Sequence, residues 1–164
     1  MDFTALGVDT LALSAHKLGG PQGVGALVVA DEPVLTPLLR GGGQERGRRA
    51  GTENVAAIAG FGVAAALAAK DLDRMAEIAA LRDDMETRLE RILPGLPVFG
   101  RDVRRLPNTS CLAMPGVPAE TQVMAFDLAG VAVSAGAACS SGKVATSHVL
   151  AAMGVPPNIA NSAI

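Results

Sequence analysis

The chain has 164 residues, 49% hydrophobic and 18% charged, with 14 basic against 16 acidic side chains for a net charge of −2. A chain this long can bury roughly 70% of the surface its unfolded form exposes, which excludes disorder as the main state. Without Trp or Tyr, with four Phe and no basic excess, it carries neither the charge footprint nor the stacking platforms of a nucleic-acid binder. No apolar run reaches the roughly 20 residues of a bilayer span, so no membrane helix is expected. MDFTALGVDT lacks the basic and apolar regions of a secretion signal, and Cys111 and Cys139 do not make a disulfide framework. A reducing cytoplasm is the expected setting, with no metal.

TLALSA (10–15) alternates loosely and runs into Gly-Gly-Pro, after which VGALVVA (24–30) has strand length, so this part reads strand, turn, strand. The stretch 31–54 holds Pro33, Pro37 and three consecutive glycines and reads as a long loop. The Ala-rich run 54–70 reads as a buried helix, in which Gly60 and Gly62 permit close approach of another backbone. In 71–93, Leu72, Met75, Ile78, Leu81, Met85, Leu89 and Ile92 recur at three- and four-residue steps, predicting a helix with one core face. Beyond Pro94-Gly95 the pattern reads strand (96–99), strand (110–114), helix (118–129), strand (131–134), loop (135–145) and helix (146–153). A domain boundary is placed near residue 70.

Three stretches carry chemistry. In Ser14-Ala15-His16-Lys17, followed by LGGPQGVG, a lysine stands where a strand breaks into a glycine-rich turn, and there an amine can be held against a carbonyl to form a Schiff base. The plain alternative is a solvated loop lysine. No Gly-Lys-Ser/Thr follows, so this is not a nucleotide phosphate loop. RGGGQERGRRAGTEN (40–54) is rich in backbone N–H groups and guanidinium donors, and with Thr52 ahead of a helix it suits an anion as well as a solvated turn. SAGAACSSGK (134–143) surrounds Cys139 with small residues that keep a thiol accessible for attack and transfer. Cys111, within a predicted strand, reads as a buried, inert thiol.

Taken in this order, SAHKLGGPQGVGALVV, GGGQERGRRAGTEN and SAGAACSSGKVATSHVLAAMG resemble the cofactor-lysine segment, glycine-rich loop and active-cysteine loop of the cysteine desulfurases. These are pyridoxal 5'-phosphate enzymes of the class V aminotransferase family with the type I fold. The resemblance covers essentially the whole chain, and the long loop around Cys139 is similar to the branch serving general iron–sulfur cluster assembly. It implies an α/β fold, with 1–70 a remnant of the cofactor-binding large domain and sheet, and 71–164 a small C-terminal α/β domain incomplete at its end.

The resemblance further implies that Lys17 carries the cofactor, that Ser14 and His16 hold its phosphate, and that Thr52 reaches the cofactor phosphate of the second subunit in a homodimer. Cys139 is implied as the nucleophile that takes sulfur from L-cysteine, leaving alanine and a persulfide that passes to a sulfur acceptor or iron–sulfur scaffold protein. The histidine, aspartate and glutamine that precede the lysine segment in the family have no counterpart ahead of Lys17, and neither Asp2 nor Asp9 matches that aspartate's motif. The family's carboxylate-binding arginine has no counterpart up to Ile164, so these 164 residues alone are expected to be inactive or nearly so. Selenocysteine lyase or another class V transferase, which would share Lys17 without needing Cys139 for substrate sulfur, is an alternative. A non-catalytic dimerisation or docking module is a second one.

Overall fold

The computed structural model describes residues 2–30, 35–136 and 147–164. The chain divides into two compact units, Met1–Asp73 and Arg74–Ile164, each described here by itself.

In the first unit, α1 (Phe3–Leu6) is capped by Asp2, whose Oδ1 accepts from the Thr4 and Ala5 amides at 3.0 and 3.3 Å. It leads into β1 (Thr10–Ser14), which pairs antiparallel with β2 (Gly25–Val29) in a register running from Thr10 opposite Val29 to Ser14 opposite Gly25. A Cβ on Gly25 would lie 2.5 Å from the Leu13 carbonyl oxygen, so this end of the hairpin closes only on glycine. The sheet has these two strands alone among the described residues.

α2 (Val55–Lys70) packs against the turn that follows β1. Its Gly60 sits against the Pro21 ring, 2.7 Å from where a Cβ would stand, whereas Gly62 faces open space, so only the first of the two expected close approaches exists. The expected burial of this helix is also corrected. Ala57 and Ala64 are buried, but Val55, Ile58, Val63 and Leu67 are exposed. Alanine and glycine leave little side chain to bury, and among the described residues no element of the unit covers the outer face.

The helical stretch Val55–Ile92 contains an 18-residue window of mean hydropathy 1.6, long and apolar enough to cross a membrane by length and composition only. Counting uninterrupted apolar runs missed it. Eight of the sixteen residues of α2 are alanine, so the property reflects many small side chains rather than a continuous bulky apolar surface, and by itself it is weak evidence for a span.

In the second unit, α3 (Met75–Ile92) follows a 3-10 turn, Asp71–Arg74. The expected core face is only partly realised. Met75, Ile78 and Leu89 are half-buried while Leu81 and Ile92 are exposed, and the most buried residue of the helix is Glu86. The charge is tolerated there because Arg105 donates both terminal nitrogens to the two carboxylate oxygens at 2.7 and 2.6 Å, and the Ser110 hydroxyl donates a third bond at 2.7 Å. Arg82 adds a bond to the Leu106 carbonyl at 2.7 Å, stitching the helix to segment 101–110.

The expected strands at 96–99 and 110–114 pair only through isolated antiparallel bridges, Val98 opposite Leu112 and Ala113 opposite Ala163. Segment 131–134 forms no ladder, since it meets no partner strand among the described residues. α4 (Ala119–Leu128) starts after Pro118, α5 (His148–Ala152) is capped by Ser147, and α6 (Pro157–Ala160) starts after Pro156. The core of the unit comprises Ala113, Leu150, Ala160 and Ala163, with Phe99, Cys111, Val155 and Ile159 packed around them. The buried Gln122 ties α4 to the end of the chain, its amide donating to the Val117 and Ser162 carbonyls at 2.8 and 2.9 Å.

Candidate active site

β1 ends at Ser14, and the chain turns at once through a 3-10 helix, Ala15–Leu18, closed by Gly19 in the left-handed region at φ 85°. One bond holds this turn to the hairpin, the Ala15 N–H donating to the Val24 carbonyl at 3.1 Å, and one closes it, the Gly20 N–H donating to the Ala15 carbonyl at 2.9 Å. Ala15 is fully buried beneath it, which fixes the backbone and leaves His16 and Lys17 exposed on the outside, with Ser14 half-buried at the base. Among the described residues the hydroxyl, the imidazole and the amine have no hydrogen-bond or ion-pair partner. One short turn therefore presents two groups able to bind phosphate oxygens and one able to attack an aldehyde.

The 40–54 loop is drawn closed where the Ala50 N–H donates to the Leu39 carbonyl at 3.1 Å. Within it, Glu45 and Arg46 both take left-handed backbone at φ 49° and 56°. That conformation costs a non-glycine residue about 1 kcal/mol or more, so the loop holds local strain in its 3-10 turn, Gln44–Gly47. Thr52 is exposed, two residues before Asn54, whose Oδ1 accepts from the Ala57 amide at 3.2 Å and so caps α2. From sequence this helix N-terminus is expected to suit an anion. Asn54 satisfies the Ala57 amide and the Val55 N–H donates to the Glu53 carbonyl at 3.0 Å, which leaves the Thr52 hydroxyl and the Ala56 N–H as donors. Because α2 packs on the Lys17 turn, the loop and the turn belong to one unit.

Cys139 and the part of its loop from residue 137 onward lie within 137–146, outside the described residues. Cys111 is half-buried beside the core of the second unit, and burial pushes its thiol above the ordinary cysteine value. A thiol so placed yields less thiolate at neutral pH, the opposite of what a nucleophile requires.

Sequence reasoning missed the Glu86 cluster. Arg105 beside it, helped by the Ser110 hydroxyl and by Arg101 at 3.8 Å, holds the Glu86 carboxyl below its ordinary value against the opposing effect of burial. The one available signal was that Glu86 follows Met85 and precedes Leu89 by three, placing it beside the apolar stripe.

A sequence model of the family described as aminotransferase class-V matches residues 1–155. Among curated proteins the chain is 48% identical over 158 residues to a cysteine desulfurase of Gluconacetobacter diazotrophicus, covering 96% of this chain and 40% of the relative. It is 41% identical over 165 residues to cysteine desulfurase NifS of Azotobacter vinelandii, covering 100% and 41%. Among solved structures, a NifS-like protein of Rickettsia africae superimposes with a TM-score of 0.84 at 38% identity, over 99% of this chain and 42% of that one. The chain thus spans about 40% of the length of these relatives, and its partial α/β architecture is that of the NifS-like proteins. A lysine turn behind a β-strand, a strained glycine-rich loop ahead of a capped helix, and a family match across nearly all of the sequence converge, and the chain belongs to the class V aminotransferases.

Proposed function

We propose that this chain carries part of the active site of a cysteine desulfurase, which removes sulfur from L-cysteine with pyridoxal 5'-phosphate and leaves L-alanine. The observation that carries this reading is the unpartnered set of Ser14, His16 and Lys17 on the turn after β1. A hydroxyl and an imidazole beside a free amine fit a phosphorylated aldehyde, and the buried Ala15 gives them a rigid base. When bound, pyridoxal phosphate supplies a conjugated ring that accepts the electron pair released at the substrate α-carbon.

The chain's own residues do the rest. Ser14 and His16 donate to the phosphate, and Lys17 takes and returns a proton at the substrate α-carbon. Thr52 donates to the phosphate in the second subunit of a homodimer. The Cys139 thiolate attacks the substrate sulfur, so that an S–S bond forms and the carbon–sulfur bond breaks, and the released carbon takes up a proton to become the alanine methyl. The persulfide on Cys139 then serves a cytoplasmic sulfur acceptor or iron–sulfur scaffold protein. On this reading residues 1–70 belong to the cofactor-binding domain and 71–164 to the small domain.

The sequence has three lysines, Lys17, Lys70 and Lys143. Incubation with pyridoxal phosphate, borohydride reduction and peptide mapping should place the label on Lys17 and lose it in Lys17→Arg. A label on either other lysine, or none, overturns the cofactor assignment. For the sulfur step, tested in the full-length protein, L-cysteine should leave a persulfide that maps to Cys139 and disappears in Cys139→Ser, and sulfur release retained by that variant overturns the role of Cys139.

A further inference from the structure

Of the arginines in the glycine-rich loop, Arg49 alone has a side-chain hydrogen bond among the described residues, and its partner is the chain's own backbone. Its Nη1 donates to the Ala50 carbonyl at 2.8 Å. The same nitrogen fills the space beside Gly51, where a Cβ would lie 2.9 Å from it, and Gly51 holds φ at 105°, a conformation that a side chain disfavours. One end of this guanidinium is therefore committed to the loop itself rather than held out for an anion.

Ala50 is fixed on its other sides as well. Its N–H donates to the Leu39 carbonyl at 3.1 Å, and its Cβ lies 3.0 Å from where a Cβ on Gly41 would stand. Downstream, the Val55 N–H donates to the Glu53 carbonyl at 3.0 Å, and Asn54 caps α2 through the Ala57 amide. Thr52 thus stands between two anchored points, joined to the first by Gly51 alone. Glycine leaves the chain free to turn in ways no other residue allows, and a turn at Gly51 would carry the Thr52 hydroxyl off its place. The bond to the Ala50 carbonyl holds the plane of the peptide that enters Gly51, and the guanidinium lies against the Cα that would have to move.

We propose that Arg49 is a positioning residue: by holding the Ala50 carbonyl and lying against Gly51, it aims the Thr52 hydroxyl at a cofactor phosphate. This rests on the reading of Thr52 as a phosphate donor in the second subunit. Arg49 does not itself touch the phosphate. It orders the donor before the ligand arrives, so that the ordering cost falls on folding rather than on binding. Two consequences distinguish this role from general support of the loop. The contribution of Arg49 appears only with a ligand that carries a phosphate, and it requires the Thr52 hydroxyl.

The test measures, by equilibrium dialysis of the cofactor-free full-length protein, the affinity for pyridoxal 5'-phosphate and for pyridoxal, which lacks the phosphate. Arg49→Met keeps an apolar stem and removes the donors. It should weaken binding of the phosphate form by roughly three- to tenfold, the range of one net hydrogen bond, and leave pyridoxal unchanged. Arg49→Lys retains a donor and should recover most of the loss. In a Thr52→Ala background the same Arg49→Met change should cost less than about twofold. Equal loss for both ligands, loss for neither, no recovery with lysine, or an undiminished loss without the Thr52 hydroxyl overturns the proposal. If Thr52→Ala by itself leaves binding of the phosphate form unchanged, the reading of Thr52 as a phosphate donor fails and takes the proposal with it. If Thr52→Ala weakens that binding and Arg49→Met does not, the reading of Thr52 stands and the proposal alone is overturned.

Discussion

At the residue scale the two informative groups are Glu86 and Cys111. Glu86 is ionised, nearly fully buried and held by three short hydrogen bonds, so its folded value lies below the ordinary carboxyl value of 4.5. A carboxyl depressed by folding contributes stability that is complete above its unfolded value and is lost as pH falls through the folded one. Unfolding of the second unit should therefore become easier as pH drops below about 4.5, and Glu86→Gln should flatten that dependence in denaturant titrations run at several pH values. Glu86→Ala leaves Arg105 without its carboxylate and should cost about 3 kcal/mol, the low end for breaking a buried pair, because Arg105 keeps partial access to water. Cys111 makes the opposite case. With its thiol raised by burial, it should alkylate with iodoacetamide at pH 7 several times more slowly in the folded chain than in urea, as followed by mass spectrometry of its peptide.

At the element scale α2 offers an internal comparison. Gly60 and Gly62 lie on the same helix, and glycine there costs about 1 kcal/mol relative to alanine. At Gly62 a Cβ meets nothing, so Gly62→Ala should raise the unfolding free energy by about 0.5–1 kcal/mol. At Gly60 the same Cβ would stand 2.7 Å from the Pro21 ring, which is stiff, so Gly60→Ala should be neutral or destabilising and should loosen the helix from the Lys17 turn. Calorimetry of the two variants side by side checks the opposite signs. Asn54→Ala removes the cap and should cost about 1 kcal/mol. Segment 131–134 completes the picture at this scale: its sequence alternates like a strand, yet a strand without a neighbour is only an extended chain.

Over the whole molecule burial is uneven. Among the described residues the first unit buries Ala15, Ala57 and Ala64, all alanines, whereas the second buries Leu96 and Leu150 with four alanines and the Glu86 cluster. At roughly 25 cal/mol per Å² of apolar area, three alanines contribute little against the entropy of ordering the chain. Brief trypsin treatment should therefore cut first at Arg40, Arg46, Arg48 and Arg49, all exposed in the glycine-rich loop, while the second unit persists longer on a gel. Cleavage beginning instead within α3 would contradict this ordering of the two units.

The elements legible from sequence were those whose signal is local. The hairpin of β1 and β2, the helices α2, α3 and α4, and the loop between β2 and α2 follow from alternation, alanine content, three- and four-residue steps, and glycine with proline, all properties of neighbouring residues. The turn carrying Lys17 was legible for the same reason, since a strand running into glycines must break there. What only the tertiary structure decided depends on distant partners. Glu86 is buried because Arg105 and Ser110 reach it from another segment, α2 is exposed because no described residue packs on its outer face, and 110–114 forms only isolated bridges, to Val98 and Ala163, among the described residues. Periodicity tells which side of an element is apolar. Whether that side is covered, and by what, is a matter of free energy between segments far apart in the chain.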